Sequence, residues 1–231
     1  GTPPGLWIGT AVTALGGGAL AVGDEVTEQQ LQLLIGQGFD PVTKKALGRP
    51  YRKYPTTAER IQRRTAKLDT KLPVTERAAA VAAIESEEAA RDSRKAVAGF
   101  DFTFSIPKSA SVLWAVSDAG TQSLIADAHH AAVAEMVAFI EREVAATRVG
   151  AAGRSGAVAQ ADVSGVIATA FDHYDSRAGD PHLHTHVVIS NKVQTVHDGR
   201  WRSLDGRTLH AATVALSELH EAVFADHLTR A

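Results

Sequence analysis

The chain has 231 residues, of which 45% are hydrophobic, 22% charged and 6% aromatic, a composition that fits a folded protein with a substantial core. The absence of cysteine excludes disulfides and thiolate metal sites, so any metal ligand must be His, Asp or Glu. The net charge of −2 excludes a globally basic nucleic-acid-binding protein. The sequence has neither an apolar run of the ~18–20 residues that a membrane span needs nor a signal peptide, so a cytoplasmic location is expected.

The first part of the chain is predicted to be helical. A short helix over 27–35 begins at the N-cap Thr27 and is followed by Gly36. Further helices are predicted over 57–72 and 75–98, the second of them rich in Ala and Glu and stopped by a glycine.

The charge is distributed unevenly. Segment 44–77 contains eleven Lys or Arg and three acids, a net charge of +8, which leaves −10 for the remainder. A local basic stretch can neutralise DNA phosphates even in a chain of low net charge. The alternative, a solvated helix face with partial charge pairing, is equally compatible with the sequence.

The pattern then changes to β structure. Residues 100–106 alternate apolar and polar side chains, which predicts a half-buried strand with Asp101 on its polar face. Further strands are predicted over 163–173 and 183–193, and helices over 107–116, 121–148 and 209–229. Strands joined by turns, with the helices grouped between them, predict an α+β fold with an antiparallel sheet.

Three of the ten histidines, His182, His184 and His186, alternate along one predicted strand and therefore share a face. The outer two lie ~13 Å apart in a strand, too far to grip one ion, whereas neighbours ~6.6 Å apart can converge. If 174–181 connects two antiparallel strands, His173 falls opposite His184 and His186 lies one step on. Three such imidazoles would leave coordination positions open, as catalytic metal sites do, although a His182–His184 pair is also geometrically possible.

The other histidines show no ligand spacing and are interpreted as structural or surface residues. They are His129, His130, His197, His210, His220 and His227.

Several segments together resemble one known family. They are 100–109, 171–173, 176–177, 180–188, Asn191 and 199–201, with Trp7 near the start. In order and spacing they are similar to conjugative relaxases of the MobF class, which are HUH endonucleases named for His-hydrophobic-His, although the middle residue here is Thr185. The resemblance covers most of the chain and is weakest over 40–98. It implies one relaxase domain over 1–231 with a basic helical insertion at 40–98. It also implies a palm-like antiparallel sheet of about five strands flanked by helices.

The resemblance also implies a reaction. A metal-dependent strand transferase nicks single-stranded DNA beside a hairpin at a plasmid transfer origin, and a tyrosine becomes linked to the 5′ phosphate. One divalent ion polarises the phosphate, with Mg or Mn functional and Zn or Ni also able to bind. The implied partners are DNA, relaxosome accessory proteins and a helicase region that relatives carry. The implied location is the bacterial cytoplasm, with transfer to the recipient cell.

Residue by residue, His173, His184 and His186 match the family's metal ligands. Asp101 matches an acidic residue beside the cluster, where it would orient a ligating histidine or help to deprotonate the tyrosine. The basic residues expected to contact DNA are Lys108, Arg177, Arg154 and Lys192.

The sequence departs from the family pattern at the nucleophile. Relatives carry their tyrosines upstream of the region that matches Pro3, Pro4 and Trp7, and this chain begins there. Its only tyrosines are Tyr51, Tyr54 and Tyr174. We therefore expect a fragment that binds metal and DNA but does not cleave. The alternative is a DNA-binding module with a structural metal and no catalysis.

Overall fold

The structure, a computed structural model, describes residues 3–92, 95–150 and 158–231. The chain divides into two compact units. The first comprises Gly1–Pro50 and Ala98–Ala231, and the second comprises Tyr51–Val97. The basic insertion over 40–98 stays a prediction.

The elements follow one another in a mixed order. The strands are β1 (Leu6–Ile8), β2 (Gly99–Ser105), β3 (Ala146–Val149), β4 (Ala159–Asp162), β5 (Ala168–Asp175), β6 (Pro181–Ser190), β7 (Lys192–Gln194) and β8 (Trp201–Ser203). The helices are α1 (Glu28–Leu31), α2 (Thr57–Thr65), α3 (Val74–Ala89), α4 (Lys108–Val116), α5 (Ala119–Phe139) and α6 (Gly206–Arg230). A kinked 3₁₀ segment spans Thr10–Gly17, and π-helical turns extend α1 over Gln32–Gln37 and α5 over Ile140–Val144.

The main sheet has the order β1-β5-β6-β2, and every neighbouring pair is antiparallel. The predicted α+β class with an antiparallel sheet is confirmed. Within the described ranges the sheet has four strands, where about five were expected. The predicted strand over 183–193 is divided in the structure. β6 ends at Ser190, and β7 pairs with β8 in a separate ribbon, as β3 does with β4.

One face of the sheet packs on helices. Along β6, Leu183, Thr185, Val187 and Ile189 are buried on this face, and the largest core cluster joins the last two of them to residues of α5 and α6. β2 contributes Phe104 to the same cluster. The alternation of buried and half-buried positions along β6 follows the pleat of the strand, so the intervening side chains point to the other face.

The other face is covered at one end only. Trp7 pairs in register with Thr169, and it forms a second core cluster with Ile167, Leu34 and Leu47. These residues cover the start of β5, whereas His173 near its end is exposed. The histidine-bearing end of this face is therefore open.

Helix α5 with its π-helical turn, Ala119–Val144, is long and apolar enough by composition to cross a membrane. Its buried side chains, which include Ile125, Val133 and Met136, pack in the core clusters. A buried core helix passes the same compositional test, so this feature does not indicate a membrane protein. The helix stops short of the predicted 121–148 because Ala146 already begins β3.

In the second unit, salt bridges join α2 to α3. Arg60 and Arg64 of α2 contact the Glu88 carboxylate of α3 at 2.6 and 3.0 Å, and Arg64 also contacts Glu87 at 2.6 Å. Glu88 is 2% exposed. Part of the positive charge of segment 44–77 is thus neutralised within the unit itself.

Gly9 shows a local backbone requirement for the fold. Its φ is +87°, and an added Cβ would lie 2.3 Å from the Val166 carbonyl oxygen. Gly17 also has a positive φ, +67°, but nothing lies within 4 Å of an added Cβ.

We expect Gly17→Ala to lower the free energy of unfolding by about 1 kcal/mol from backbone strain alone. We expect Gly9→Ala to lower it by about 3 kcal/mol or more, because strain and a backbone clash combine. Urea unfolding of the two variants measures the difference, and equal losses would contradict the close approach.

Candidate metal centre

The three predicted ligands come from two adjacent strands. His173 of β5 stands directly opposite His184 of β6, and His186 is opposite Phe171. The chain turns back at Ser176–Asp180, where the Ser176 N–H donates to the Asp180 carbonyl. The register predicted from the length of this connection is confirmed, and it places all three imidazoles on the open face.

The ring spacing fits one ion. The ring centres are 5.3 Å apart for His173–His184, 5.2 Å for His173–His186 and 5.3 Å for His184–His186. With N–metal bonds of ~2.0–2.1 Å, three imidazoles around one ion have ring centres roughly 4.5–5.5 Å apart. The triangle of rings therefore has the dimensions of a three-histidine metal site.

The side-chain orientations fit less well than the spacing. As the described side chains are oriented, no group of three or more His, Asp or Glu residues is arranged to hold a metal ion. The spacing is fixed by the backbone register, whereas ring direction depends on side-chain torsions that a bound ion would set. The spacing is for this reason the stronger indication of what the face can hold.

Hydrogen bonds to Nδ1 of His184 and His186 leave Nε2 of each ring as the nitrogen that can bind a metal. The His184 Nδ1–H donates to the His182 carbonyl at 2.7 Å. The His186 Nδ1–H donates to the Asp101 carboxylate, at 3.1 Å to Oδ1 and 3.0 Å to Oδ2. Thr103, opposite His186 in the register, places its Oγ1 3.3 Å from the same nitrogen. Held this way, both rings keep Nε2 for a ligand, which is the usual arrangement of metal-binding histidines.

His182 stands beside the triangle. Its ring centre is 4.8 Å from that of His184. Among the described residues, the His182 ring contacts the ring of His184 but not those of His173 and His186. Burial, and then the charges of His184 and Lys108, lower the pKa of His182. The arrangement favours the set of His173, His184 and His186 over a His182–His184 pair.

Two of the predicted DNA-contacting residues lie near this end of the sheet. Lys108 is the first residue of α4; its Nζ donates to the Pro181 carbonyl at 2.9 Å and lies 3.9 Å from the Asp180 carboxylate. Arg177 is exposed in the turn between β5 and β6. Both are placed beside the histidines by the structure, and their contact with DNA stays a prediction.

The other two are not at this site. Lys192 is 3% exposed, and its Nζ donates to the Arg49 carbonyl at 2.7 Å. The Lys192 side chain is therefore directed inward at the start of β7, and its contact with DNA stays a prediction. Arg154 lies outside the described residues.

Tyr174 belongs to the opposite face. It alternates with His173 along β5, and its ring stacks on Trp114 of α4 with centres 5.3 Å apart. Burial, and then the charge of Asp172, raise the pKa of the Tyr174 hydroxyl. Tyr174 is therefore neither placed nor ionised to attack a group on the histidine face. Tyr51 and Tyr54 belong to the second unit.

A polar network that the sequence did not predict lies directly beneath the site. The Thr185 hydroxyl donates to Asp172 Oδ1 at 2.6 Å, and His130 Nε2 donates to Asp172 Oδ2 at 2.8 Å. On the other side, His129 Nε2 lies 2.8 Å from the Thr185 hydroxyl, and His220 Nε2 lies 3.3 Å from His129 Nδ1. The signal in the sequence was the polar Thr185 at a position where the family motif has a hydrophobic residue.

The network has one consistent proton order. The Asp172 carboxylate only accepts, so the Thr185 hydroxyl donates to it and accepts from the His129 Nε2–H, which leaves His129 Nδ1 to accept from His220. Burial lowers the pKa of His129 to about 3 and that of His220 to about 4, so both are neutral. Burial alone would raise the pKa of Asp172, but the hydrogen bonds from His130 and Thr185 outweigh it and hold that pKa below its usual value.

The network also stabilises the strand pairing that positions the three histidines. Thr185 lies between His184 and His186 in the chain, and Asp172 precedes His173. Thr185 and Asp172 are themselves opposite each other in the register. Their hydrogen bond therefore holds the two strands in the pairing that brings the histidines together.

Replacement of Thr185 by Val tests the network. The variant keeps the shape but leaves Asp172 and the His129 N–H each without one partner, so we expect the free energy of unfolding to fall by about 3 kcal/mol. Thr169→Val is the matched control. Thr169 is also a buried strand residue, but its hydroxyl has no hydrogen-bond partner among the residues that the structure describes. Its replacement should be neutral or stabilising in urea unfolding. Equal losses in the two variants would contradict a role for the network.

The buried histidines predict a pH dependence. Because the folded pKa values of His129 and His220 lie below the unfolded value of 6.5, the unfolded state takes up protons first as the pH falls. Stability should then fall below about pH 6.5, by about 1.4 kcal/mol per pH unit for each histidine. His130 acts in the opposite sense. Its pKa is raised, by the Asp172 hydrogen bond first, so its contribution is complete below pH 6.5 and is lost as the pH rises.

The measurement is urea unfolding between pH 7 and pH 4.5 in the presence of a chelator. His129→Gln should lower the slope by about one proton, because one group no longer titrates. A wild-type stability that is flat over this range would show that the two histidines are not held neutral.

The chain is similar in sequence to known conjugation proteins. The model of the TrwC relaxase family matches residues 1–231. A multifunctional conjugation protein, TraI of Escherichia coli, is 42% identical over 106 residues, which is 46% of this chain and 6% of that protein.

Solved relaxase structures share the fold. A metal-free structure of the conjugative relaxase TrwC in complex with OriT DNA superposes with a TM-score of 0.67 at 25% identity, over 98% of this chain and 62% of that one. A copper-bound structure of TrwC with OriT DNA gives a TM-score of 0.65 at 26% identity, over 98% of this chain and 59% of that one. The chain thus spans about six-tenths of the solved TrwC chains and a small part of TraI.

Proposed function

Because the chain belongs to the TrwC relaxase family, we propose that it is the DNA-nicking domain of a conjugative relaxase, a strand transferase that acts on single-stranded DNA at a plasmid transfer origin. The observation that carries the proposal is the triangle of His173, His184 and His186 on the open end of the sheet. It occurs in a chain that the family model matches throughout.

The donor set suits one divalent ion. Nε2 of His173, His184 and His186 would hold it, and two of these rings are already oriented through Nδ1. Three imidazoles favour ions such as Zn or Ni, and we propose Mg or Mn as the ion that serves phosphate chemistry. When bound, the ion supplies Lewis-acid polarisation of the scissile phosphate.

The residues around the triangle have distinct proposed roles. Asp101 accepts the His186 Nδ1–H and so holds that ring in the tautomer that exposes Nε2; it is 54% exposed and also within reach of an incoming hydroxyl. Lys108 and Arg177 are proposed to contact DNA phosphates beside the site. The tyrosine that forms the 5′-phosphotyrosyl bond and releases the 3′ hydroxyl is proposed to approach the open face, which excludes Tyr174.

The wider biological setting is part of the same proposal. The DNA is proposed to carry a hairpin next to the cleavage site, and relaxosome accessory proteins and a helicase region are proposed partners. The proposed location is the bacterial cytoplasm, with transfer to the recipient cell. The second unit is proposed to add DNA affinity through those cations of residues 51–77 that Glu87 and Glu88 do not neutralise.

Metal titration tests the proposal. We expect wild-type protein to bind one Mn or Zn ion in calorimetry and His184→Ala to bind it at least about 100-fold more weakly, because a ligand is lost. Asp101→Asn should weaken binding by about 10- to 100-fold through loss of the orienting carboxylate. His197→Ala, at an exposed histidine outside the triangle, is the matched control. Undiminished binding by His184→Ala would refute the ligand assignment.

The same titration separates the proposal from its alternative, a DNA-binding module with a structural metal. A catalytic ion on an open face is not needed for folding, because the sheet is held by its core and by the network beneath it. A chelator should therefore leave the melting temperature nearly unchanged. A large drop would favour the structural role.

A further inference from the structure

A second site of different chemistry lies in the first unit, away from the histidines. A cavity of about 550 Å³ is formed where β7 and β8 meet β3 and the loop before Pro50. It shares no described residue with the histidine triangle. Four of its lining residues are cationic, namely Arg49, Arg148, Lys192 and Arg202, and Asp205 is the single acid in the described lining.

The described lining of the cavity has more positive than negative side chains. The Asp205 carboxylate lies 3.5 Å from Arg148 Nε and 3.5 Å from Arg207 Nε, so one acid serves two arginines. It is also 4% exposed and caps α6 by accepting from the Arg207 N–H. Arg202 is held by Asp198, outside the cavity, with both nitrogens at 2.7 Å. Arg49 is exposed at the rim and Arg148 is 51% exposed, so both guanidinium groups can reach an anion.

Lys192 contributes positive charge from the floor of the cavity. Its side chain is buried, and its Nζ is fixed on the Arg49 carbonyl. Burial lowers the pKa of this amine. An anion in the cavity would favour its charged form, so the floor and the rim attract the same kind of group.

Part of the lining is apolar. Trp201, Val149, Val158 and Leu204 supply the apolar wall of the cavity. Gly48, with φ +68°, allows the loop to approach so closely that an added Cβ would lie 2.5 Å from the Trp201 carbonyl oxygen. This close approach sets Arg49 beside the tryptophan.

We propose that this cavity binds one unstacked nucleotide of single-stranded DNA, with its phosphate on Arg49 and Arg148 and its base on the wall that includes Trp201. The proposal rests on the proposed function for the identity of the polymer. Arginine forks match phosphate oxygens, and apolar and aromatic walls accept any base face. The volume suits one nucleotide and is too small for a duplex. The cavity would hold the strand at a distance from the histidines and so help to align it.

The test uses the whole chain and a fluorescein-labelled oligothymidylate. Arg49→Ala and Arg148→Ala should each weaken binding about tenfold, the loss of one charge-assisted contact. Each should also lower the slope of log affinity against log salt by about one. Arg230→Ala removes the same charge at the end of α6, where Arg230 pairs with Asp226, and should change affinity less than about twofold. Circular dichroism checks that each variant is folded.

Tryptophan fluorescence locates the base. Oligothymidylate should quench wild-type emission, and Trp201→Phe should lose most of that quenching, because Trp7 is fully buried and Trp114 is stacked on Tyr174. Thymidine monophosphate and inorganic phosphate serve as further probes. Quenching by the nucleotide but not by phosphate supports a nucleotide site, and equal competition by phosphate alone would overturn the base contact.

The outcomes separate this inference from the proposed function. If the oligothymidylate binds and Arg49→Ala and Arg148→Ala bind it as well as wild type, the nucleotide site is refuted while the metal titration can still support the relaxase assignment. If His184→Ala leaves metal binding intact but the arginine variants lose DNA, the metal centre is refuted and the nucleotide site stands. Binding of duplex with the same quenching would overturn the single-strand assignment.

Discussion

The antiparallel pairing of β5 with β6 is the constraint on which the site depends. In the register that sets His173 opposite His184, strand alternation sends three imidazoles to the open face and Asp172 and Thr185 to the buried one. A slip of one residue would exchange the two sets, placing imidazoles in the core and the carboxylate in solvent. The Thr185–Asp172 hydrogen bond joins the strands across this register and is itself held by helix residues. The core that buries one face therefore also determines the ligand geometry on the other.

Histidine serves two opposite purposes on the two faces of the same strands. On the open face, His184 and His186 are half-exposed and have one nitrogen engaged, which leaves the other for a ligand. On the buried face, His129 and His220 are desolvated and neutral, and they act as fixed donors and acceptors. Burial is the largest cause, because a charged imidazole is costly where water is excluded. The chemistry of a histidine in this protein is thus decided by the face to which its strand or helix directs it.

Charge is organised locally in a chain that is slightly acidic overall. In the second unit, Glu87 and Glu88 neutralise arginines that the sequence presents as one basic stretch. In the first unit, Asp205 is the one acid among the described residues that line a cavity with four cations, of which Arg202 is paired with Asp198. A phosphate backbone responds to such local excess and not to net charge. A slightly negative net charge of the whole chain is therefore compatible with DNA binding at a locally basic surface.

Much of the site was determined by the sequence because its signals are local. Residue spacing in a strand fixes which histidines share a face, and the length of the connection after His173 fixes which residue stands opposite His184. The α+β class followed from the same periodicities. Tertiary structure alone decided the rest. His129, which contacts the Thr185 hydroxyl, comes from a helix far away in the chain, the buried Lys192 amine donates to the Arg49 carbonyl, and β7 after Ser190 pairs with β8. Such contacts join residues that are distant in sequence, and no local pattern records them.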